Sequence, residues 1–145
     1  MFTDSEILSV VEMLKNENLD VRTVTLGLNL LECASHDIHR FTDNVYNRIT
    51  GAARDLVRIC DEVGDKYGIP VVNKRISVSP VAVAAAPFDS DQMIRVAKTL
   101  NDAATEVDVD FIGGFSALVE KGMARGDRAL IEALPEALTR TQRVC

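Results

Sequence analysis

The residues with the clearest chemical potential follow three short stretches that are rich in β-branched residues. Such stretches are typical of strands, and in parallel α/β folds ligands collect at the carboxyl ends of the strands. Small polar side chains and backbone N–H groups at these ends suit a small anionic metabolite. The candidate ligand-binding residues at these ends are Asn29, Ser79, Gly113, Gly114 and Ser116.

The glycine pair Gly113-Gly114 has two interpretations. Ahead of a helix, it can present backbone N–H groups and a positive dipole end to an anion. It can equally be a tight strand-to-helix turn that needs backbone freedom. The segment lacks both the G-x-G-x-x-G pattern and the Walker lysine, so it implies no class of nucleotide.

Lys74 and Arg75 lie inside the second predicted strand and are candidate charge partners for the anion. Neighbouring residues of a strand point to opposite faces, so at most one of the two can face a given pocket. A solvated or ion-paired role remains open for each.

Cys33 and Cys145 are the candidate catalytic thiols, because one follows the first strand and the other opens a strand at residues 143–145. A reactive thiol needs a lowered pKa, and a buried, inert cysteine is the alternative for each. The third cysteine, Cys60, falls on an apolar helix face and is predicted to be core.

The sequence predicts no metal site and identifies no cofactor. The cysteines are widely spaced without a C-x-x-C pair, which indicates reduced thiols. His36 and His39 are the only histidines, and no carboxylate or cysteine completes a ligand set with them. Loop and cap roles are therefore favoured for this segment, with Asp37 as a helix cap.

Composition excludes several classes of partner. The net charge of −6 and pI of 4.9 argue against nucleic-acid binding. The sequence has no apolar run of the ~18 residues that a membrane span needs, and its first residues are acidic where a signal peptide is basic. We therefore expect a cytoplasmic protein.

Hydrophobic periodicity predicts alternating helices and strands, and hence an α/β fold with a mainly parallel sheet. A Thr3–Glu6 capping box starts the first helix, and the segment 81–86 is left open between a buried loop and a helical turn. The first helix is predicted to end near 16–18. Further helices are predicted over 38–67, 90–107, 115–121 and 127–134, with a fresh helical turn at Pro135. Strands are predicted at 21–28, 71–79, 109–112 and from 143.

Specific segments of the chain resemble the N-terminal portion of the uncharacterised protein family 0210, also called domain of unknown function 711. The resemblance runs the length of the chain. It is carried by Asp20-Val-Arg-Thr-Val-Thr-Leu-Gly27, Leu30-Leu-Glu-Cys33, Gly68-Ile-Pro-Val-Val-Asn-Lys-Arg-Ile-Ser-Val-Ser-Pro80, Asp108-Val-Asp-Phe-Ile-Gly-Gly-Phe-Ser-Ala-Leu-Val119 and Val144-Cys145.

The resemblance implies an α/β barrel similar to the pyruvate formate-lyase type glycyl radical enzymes, and a homodimer. It also suggests a small ACT-domain protein as a partner. It implies no reaction, because none is established for the family. Family members are longer, so residues 1–145 are expected to form a single α/β domain that is an incomplete N-terminal fragment of the barrel.

Three functions follow from these features, and the sequence leaves open whether the protein is an enzyme. The leading hypothesis is a protein that binds a small anionic metabolite at the carboxyl ends of its strands. The alternatives are a non-catalytic homodimeric interaction or regulatory module, and a thiol-dependent enzyme.

Overall fold

The computed structural model describes residues 3–16 and 20–145, and the predicted end of the first helix near 16–18 falls partly outside these ranges. The elements are α1 (Asp4–Asn16), β1 (Val21–Leu28), a 3₁₀ turn (Leu31–Cys33), α2 (Ile38–Ala53), α3 (Leu56–Tyr67), β2 (Val71–Val78), α4 (Val81–Ala84), α5 (Ser90–Glu106), β3 (Phe111–Gly113) and α6 (Arg125–Thr139).

The three strands form one sheet in the order β1-β2-β3, and both pairings are parallel. Val144 adds a parallel bridge to Ile112 beyond β3, where the sequence predicts a strand beginning. The prediction of an α/β fold with a parallel sheet is therefore confirmed.

One face of the sheet carries the hydrophobic core. Ile76 and Ile112 are each 1% exposed on this face, which belongs to the same buried cluster as the inner sides of α2 and α5. The cluster is almost entirely aliphatic, with Phe41 and Phe88 packed edge to face at 5.2 Å between ring centroids. We call this side the covered face.

The other side of the sheet is exposed, and we call it the open face. Side chains on a strand alternate between faces, so the residues between the buried ones point away from the helices. The open face is lined by Thr25, Gly27, Arg75, Ser77 and Phe111, all of which are exposed.

The predicted single helix over 38–67 is wrong, because the chain makes two helices that meet at Arg54-Asp55. Asp55 precedes α3 with φ −106° and ψ 3°, outside helical geometry. The Asp55 carboxylate makes no capping bond to α3 and accepts instead from the Arg58 guanidinium at 3.0 Å. The apolar spacing continues across the break, so periodicity did not reveal it.

The predicted helix over 115–121 is also wrong, since residues 114–124 are irregular. The carbonyl of Gly114 accepts from the Val81 N–H at 3.0 Å, and the carbonyl of Ser116 accepts from the Ala82 N–H at 3.2 Å. These carbonyls therefore bond to α4 rather than to a helix of their own. α4 itself answers the open question at 81–86 in favour of a buried helical turn.

A single helix, α6, replaces the predicted helix over 127–134 and fresh start at Pro135. It begins two residues before Asp127 and continues past Pro135 to Thr139. Asp127 does serve the helix start, because its carboxylate accepts from the Ala124 N–H at 2.8 Å.

In the parts of the chain that the structure describes, no helix is long and apolar enough to cross a membrane.

Candidate functional site

The carboxyl ends of the strands meet at one edge of the sheet, as the parallel topology requires. The Ser79 N–H donates to the carbonyl of Leu28 at 3.0 Å, and the Leu30 N–H donates to Ser79 Oγ at 3.0 Å. The bond between Val81 and Gly114 joins the end of β3 to the same edge. The structure thus brings together the predicted residues Asn29, Ser79, Gly113, Gly114 and Ser116, and we call this edge the rim.

Several of the backbone donors at the rim already have partners. The Leu31 N–H donates to Asn29 Oδ1 at 2.9 Å, and the Ser116 N–H donates to the carbonyl of Gly114 at 2.8 Å. Side chains still offer donors: the amide nitrogen of Asn29, and the hydroxyl hydrogen of Ser79, whose oxygen is the acceptor for Leu30. The side chains of Asn29 and Ser79 therefore have donors to offer a ligand at the rim.

Turn geometry alone explains Gly114. Its φ is +112°, and a Cβ atom there would lie 2.3 Å from the carbonyl oxygen of Val78. Its neighbour Gly113 has no such restriction, since a Cβ there would meet only Cys145 Sγ at 3.8 Å. The interpretation of the pair as a tight turn accounts for Gly114 without any ligand.

Lys74 and Arg75 point to opposite faces, as strand alternation predicts. Lys74 is on the side of the helices, and its Nζ lies 2.9 Å from Asp61 Oδ1 in α3. The hydrogen bond that the Lys74 ammonium donates to the Asp61 carboxylate raises the pKa of Lys74. Lys74 is therefore committed to an ion pair within the fold.

Arg75 is on the open face, with its guanidinium carbon 5.4 Å from the centroid of the Phe111 ring. This is a cation–π contact, which positions the guanidinium but leaves its N–H donors available. No carboxylate pairs with Arg75 among the residues that the structure describes. Of the two predicted charge partners, Arg75 is the one that faces solvent.

Two rows of aligned residues run across the three strands on the open face, and the second row lies nearer the rim. Thr25 aligns with Arg75 and Phe111, and the next row aligns Gly27, Ser77 and Gly113. In the second row only Ser77 has a side chain beyond a hydrogen atom, so the surface beside Arg75 is a shallow depression. Sequence reasoning missed Ser77; its position two residues after Arg75, hence on the same face, is the signal that could have found it.

The two candidate thiols occupy different environments. Cys33 is 4% exposed, and burial raises the pKa of its thiol, the opposite of what a nucleophile needs. Cys145 is exposed and lies beside Gly113. Cys60 is buried, as predicted, and burial raises the pKa of its thiol as well.

The histidine segment forms a helix start. Asp37 caps α2, with its Oδ1 accepting from the Arg40 N–H at 3.0 Å. The guanidinium of Arg95 lies 3.0 Å from His39 Nδ1, and since guanidinium only donates, this ring nitrogen accepts. Over residues 3–16 and 20–145, no group of three or more potential ligands could hold a metal ion.

Comparison with known proteins gives one consistent family. The chain is 66% identical over its full 145 residues to a UPF0210 protein of Desulfovibrio desulfuricans. It is 61% identical over 145 residues to a UPF0210 protein of Oleidesulfovibrio alaskensis, and 49% identical over 145 residues to one of Methanosarcina mazei.

The chain spans 32% of the length of each of these relatives. Residues 12–145 match the model of the family described as Uncharacterised ACR (DUF711). This match covers nearly the whole chain, including all three strands and the rim. The chain therefore belongs to the DUF711 (UPF0210) family.

Proposed function

We propose that this chain binds a small anionic metabolite on its open face, at the carboxyl ends of the strands. The ligand would lie over the row formed by Gly27, Ser77 and Gly113. Arg75 would supply the charge, and the side chains of Asn29 and Ser79 would supply donors from the rim. The ligand class is a small carboxylate or phosphate.

The observation that carries the proposal is the position of Arg75. It is an exposed guanidinium that has no carboxylate partner among the described residues and shares a sheet face with Ser77. Arginine presents its donors in a planar fork that matches carboxylate and phosphate oxygens. The absence of side chains at Gly27 and Gly113 leaves room for an anion beside that fork.

We further propose that this sheet is part of a larger α/β barrel. Two observations support this: within residues 3–16 and 20–145 the helices cover one face of the sheet only, and the chain is about a third of the length of its relatives. In such a barrel the open face would line the interior, and the rim would lie at the carboxyl-terminal face, where α/β barrels bind their ligands. The remaining strands would then enclose the ligand.

The test is a titration of the chain with inorganic phosphate and with a series of small mono- and dicarboxylates, by calorimetry at low ionic strength. Arg75→Gln should weaken binding about 10- to 100-fold, since hydrogen bonds to charged groups contribute roughly 1.5–3 kcal/mol. Arg75→Lys keeps the charge but loses the fork, so it should retain part of the affinity.

Arg22→Gln is the matched control. Arg22 is an exposed arginine of the neighbouring strand, and its guanidinium lies 3.6 Å from Asp20 at the other end of the sheet. Removing it changes the net charge by the same amount without touching the proposed site. If Arg22→Gln and Arg75→Gln weaken binding equally, the anion is attracted by overall charge and the open-face site is wrong.

A further inference from the structure

Helix α1 exposes an unusually wide apolar surface. Ile7 is 51% exposed, Leu8 67%, Val10 44% and Val11 39%. At 100° per residue, these side chains cover an arc of about 160° around the helix axis. An arc of this width suits a helix that packs against two surfaces at once, such as a sheet and a neighbouring helix.

Helix α3 exposes an apolar stripe of its own along one flank. Ile59, Val63 and Tyr67 are 49%, 47% and 60% exposed and recur every fourth residue. Asp61, which holds Lys74 of β2, lies on the opposite flank of the helix, and the buried Cys60 lies between the two flanks. The stripe therefore faces away from Lys74.

The chain connections are short enough to let these two surfaces meet. α1 ends at Asn16 and β1 begins at Val21, whose partner in the sheet is Val71, the first residue of the strand after α3. The five residue steps from 16 to 21 reach at most about 17 Å, while packed helices lie about 8–10 Å apart. α1 has 13 residues and α3 has 12, so the helices also match in length.

We propose that α1 leaves the position in which its apolar side chains are exposed and docks in the angle between the stripe on α3 and the helix-facing side of β1. Leu8 would contact Val63, and Ile7, Val10 and Val11 would cover Val24 and Leu26, which are only partly buried. The occupant is α1 of the same chain, because a short tether gives it an effective concentration in the millimolar range. The docked helix completes the helical layer at the β1 edge.

Amide hydrogen exchange of the whole chain is the first test. An isolated helix of this length is marginal in water, so slow exchange in α1 requires that it docks. We expect amides of residues 8–16 to exchange at least tenfold more slowly than in a peptide of residues 1–19. Equal rates would overturn the proposal. Val63→Asp should return these rates towards the peptide values.

A double-mutant cycle identifies the contact. Leu8→Ala and Val63→Ala should be coupled by at least about threefold in the unfolding equilibrium constant, as is usual for touching side chains. The control pairs Leu8→Ala with Val83→Ala, a residue of α4 that is 50% exposed, and should show no coupling. A Leu8–Val63 coupling that is absent, or that disappears when a dimer is diluted to monomer, contradicts docking within one chain.

Discussion

The two faces of the sheet differ in the exposure and in the chemistry of their side chains. On the covered face, Ile76 and Ile112 are almost completely inaccessible and lie under helices. On the open face, Ser77, one residue after Ile76, is exposed and aligns with two glycines. The same strand therefore serves stability with one set of side chains and is free to serve binding with the other.

This contrast separates the effects of substitution. Side chains on the covered face contribute buried apolar area, so changes there alter the free energy of unfolding. Side chains on the open face bury little, so changes there should leave folding almost intact and alter ligand affinity instead. Adjacent residues of β2 provide matched pairs for testing this separation.

The largest expected effect is at Ile76. Ile76→Ala should lower the free energy of unfolding by roughly 2–5 kcal/mol, because it leaves a cavity beneath the helices. Ser77→Ala, at the neighbouring exposed position, should change it by less than about 0.5 kcal/mol. Denaturant titration measures both, and similar costs at the two positions would show that the open face is not open in solution.

The two glycines at the rim should differ in how much stability is lost when each is replaced by alanine. Gly114→Ala forces a Cβ against the Val78 carbonyl at a positive φ, so we expect a loss of roughly 2–3 kcal/mol. Gly113→Ala meets only ordinary contact and should cost less than about 1 kcal/mol. Thermal or denaturant unfolding measures both; equal losses would contradict the turn geometry. Gly114 is consequently a poor probe of ligand binding.

Substitutions at Lys74 and Arg75 should affect different quantities, stability at Lys74 and anion affinity at Arg75. Lys74→Gln breaks the ion pair with Asp61 and should cost up to about 1 kcal/mol of stability while leaving anion affinity unchanged. Arg75→Gln should leave stability nearly unchanged and weaken anion binding. Unfolding and titration of both variants under one buffer condition test this, and the contrast fails if Lys74→Gln also removes binding.

The smallest expected effect is the difference in thiol reactivity between Cys145 and Cys33. A thiol reagent should label Cys145 rapidly at mild alkaline pH, whereas burial and a raised pKa should protect Cys33 in the folded chain. A raised pKa also means that Cys33 contributes stability below the ordinary thiol pKa, and this contribution is lost as the pH rises towards the folded-state value. Mass spectrometry of labelled peptides measures the order in which the two thiols react. Rapid labelling of Cys33 would show that the folded chain exposes this thiol to solvent.

The strands were predictable because β-branched residues mark them directly. β1 was predicted with the bounds that the structure shows, and β2 ends one residue earlier than predicted. β3, predicted over 109–112, begins two residues later and ends one residue later, at Phe111–Gly113. The segment 114–124 was not predictable from local pattern, because the bonds to Val81 and Ala82 that hold it come from residues far away in the sequence. Local sequence therefore placed the rim, and long-range contacts decided the shape of the loop beside it.

The candidate site was predictable in part for the same reason. Strand ends located Asn29, Ser79 and the glycine pair without knowledge of packing. The choice between Lys74 and Arg75 depends on which face the helices cover, and that is a property of the whole fold. The homodimer, the ACT-domain partner and a thiol reaction at Cys145 stay predictions.

Mapping of amide chemical shifts during anion titration tests the central contrast most directly. We expect changes centred on Gly27, Ser77 and Ser79, and we expect these changes to be lost in Arg75→Gln. The helical side offers a rival cleft in which three cationic side chains, Arg95, Lys98 and Arg140, lie among two carboxylates, Asp91 and Glu136. Shifts centred on that cleft, and unchanged in Arg75→Gln, would contradict the assignment of anion binding to the open face.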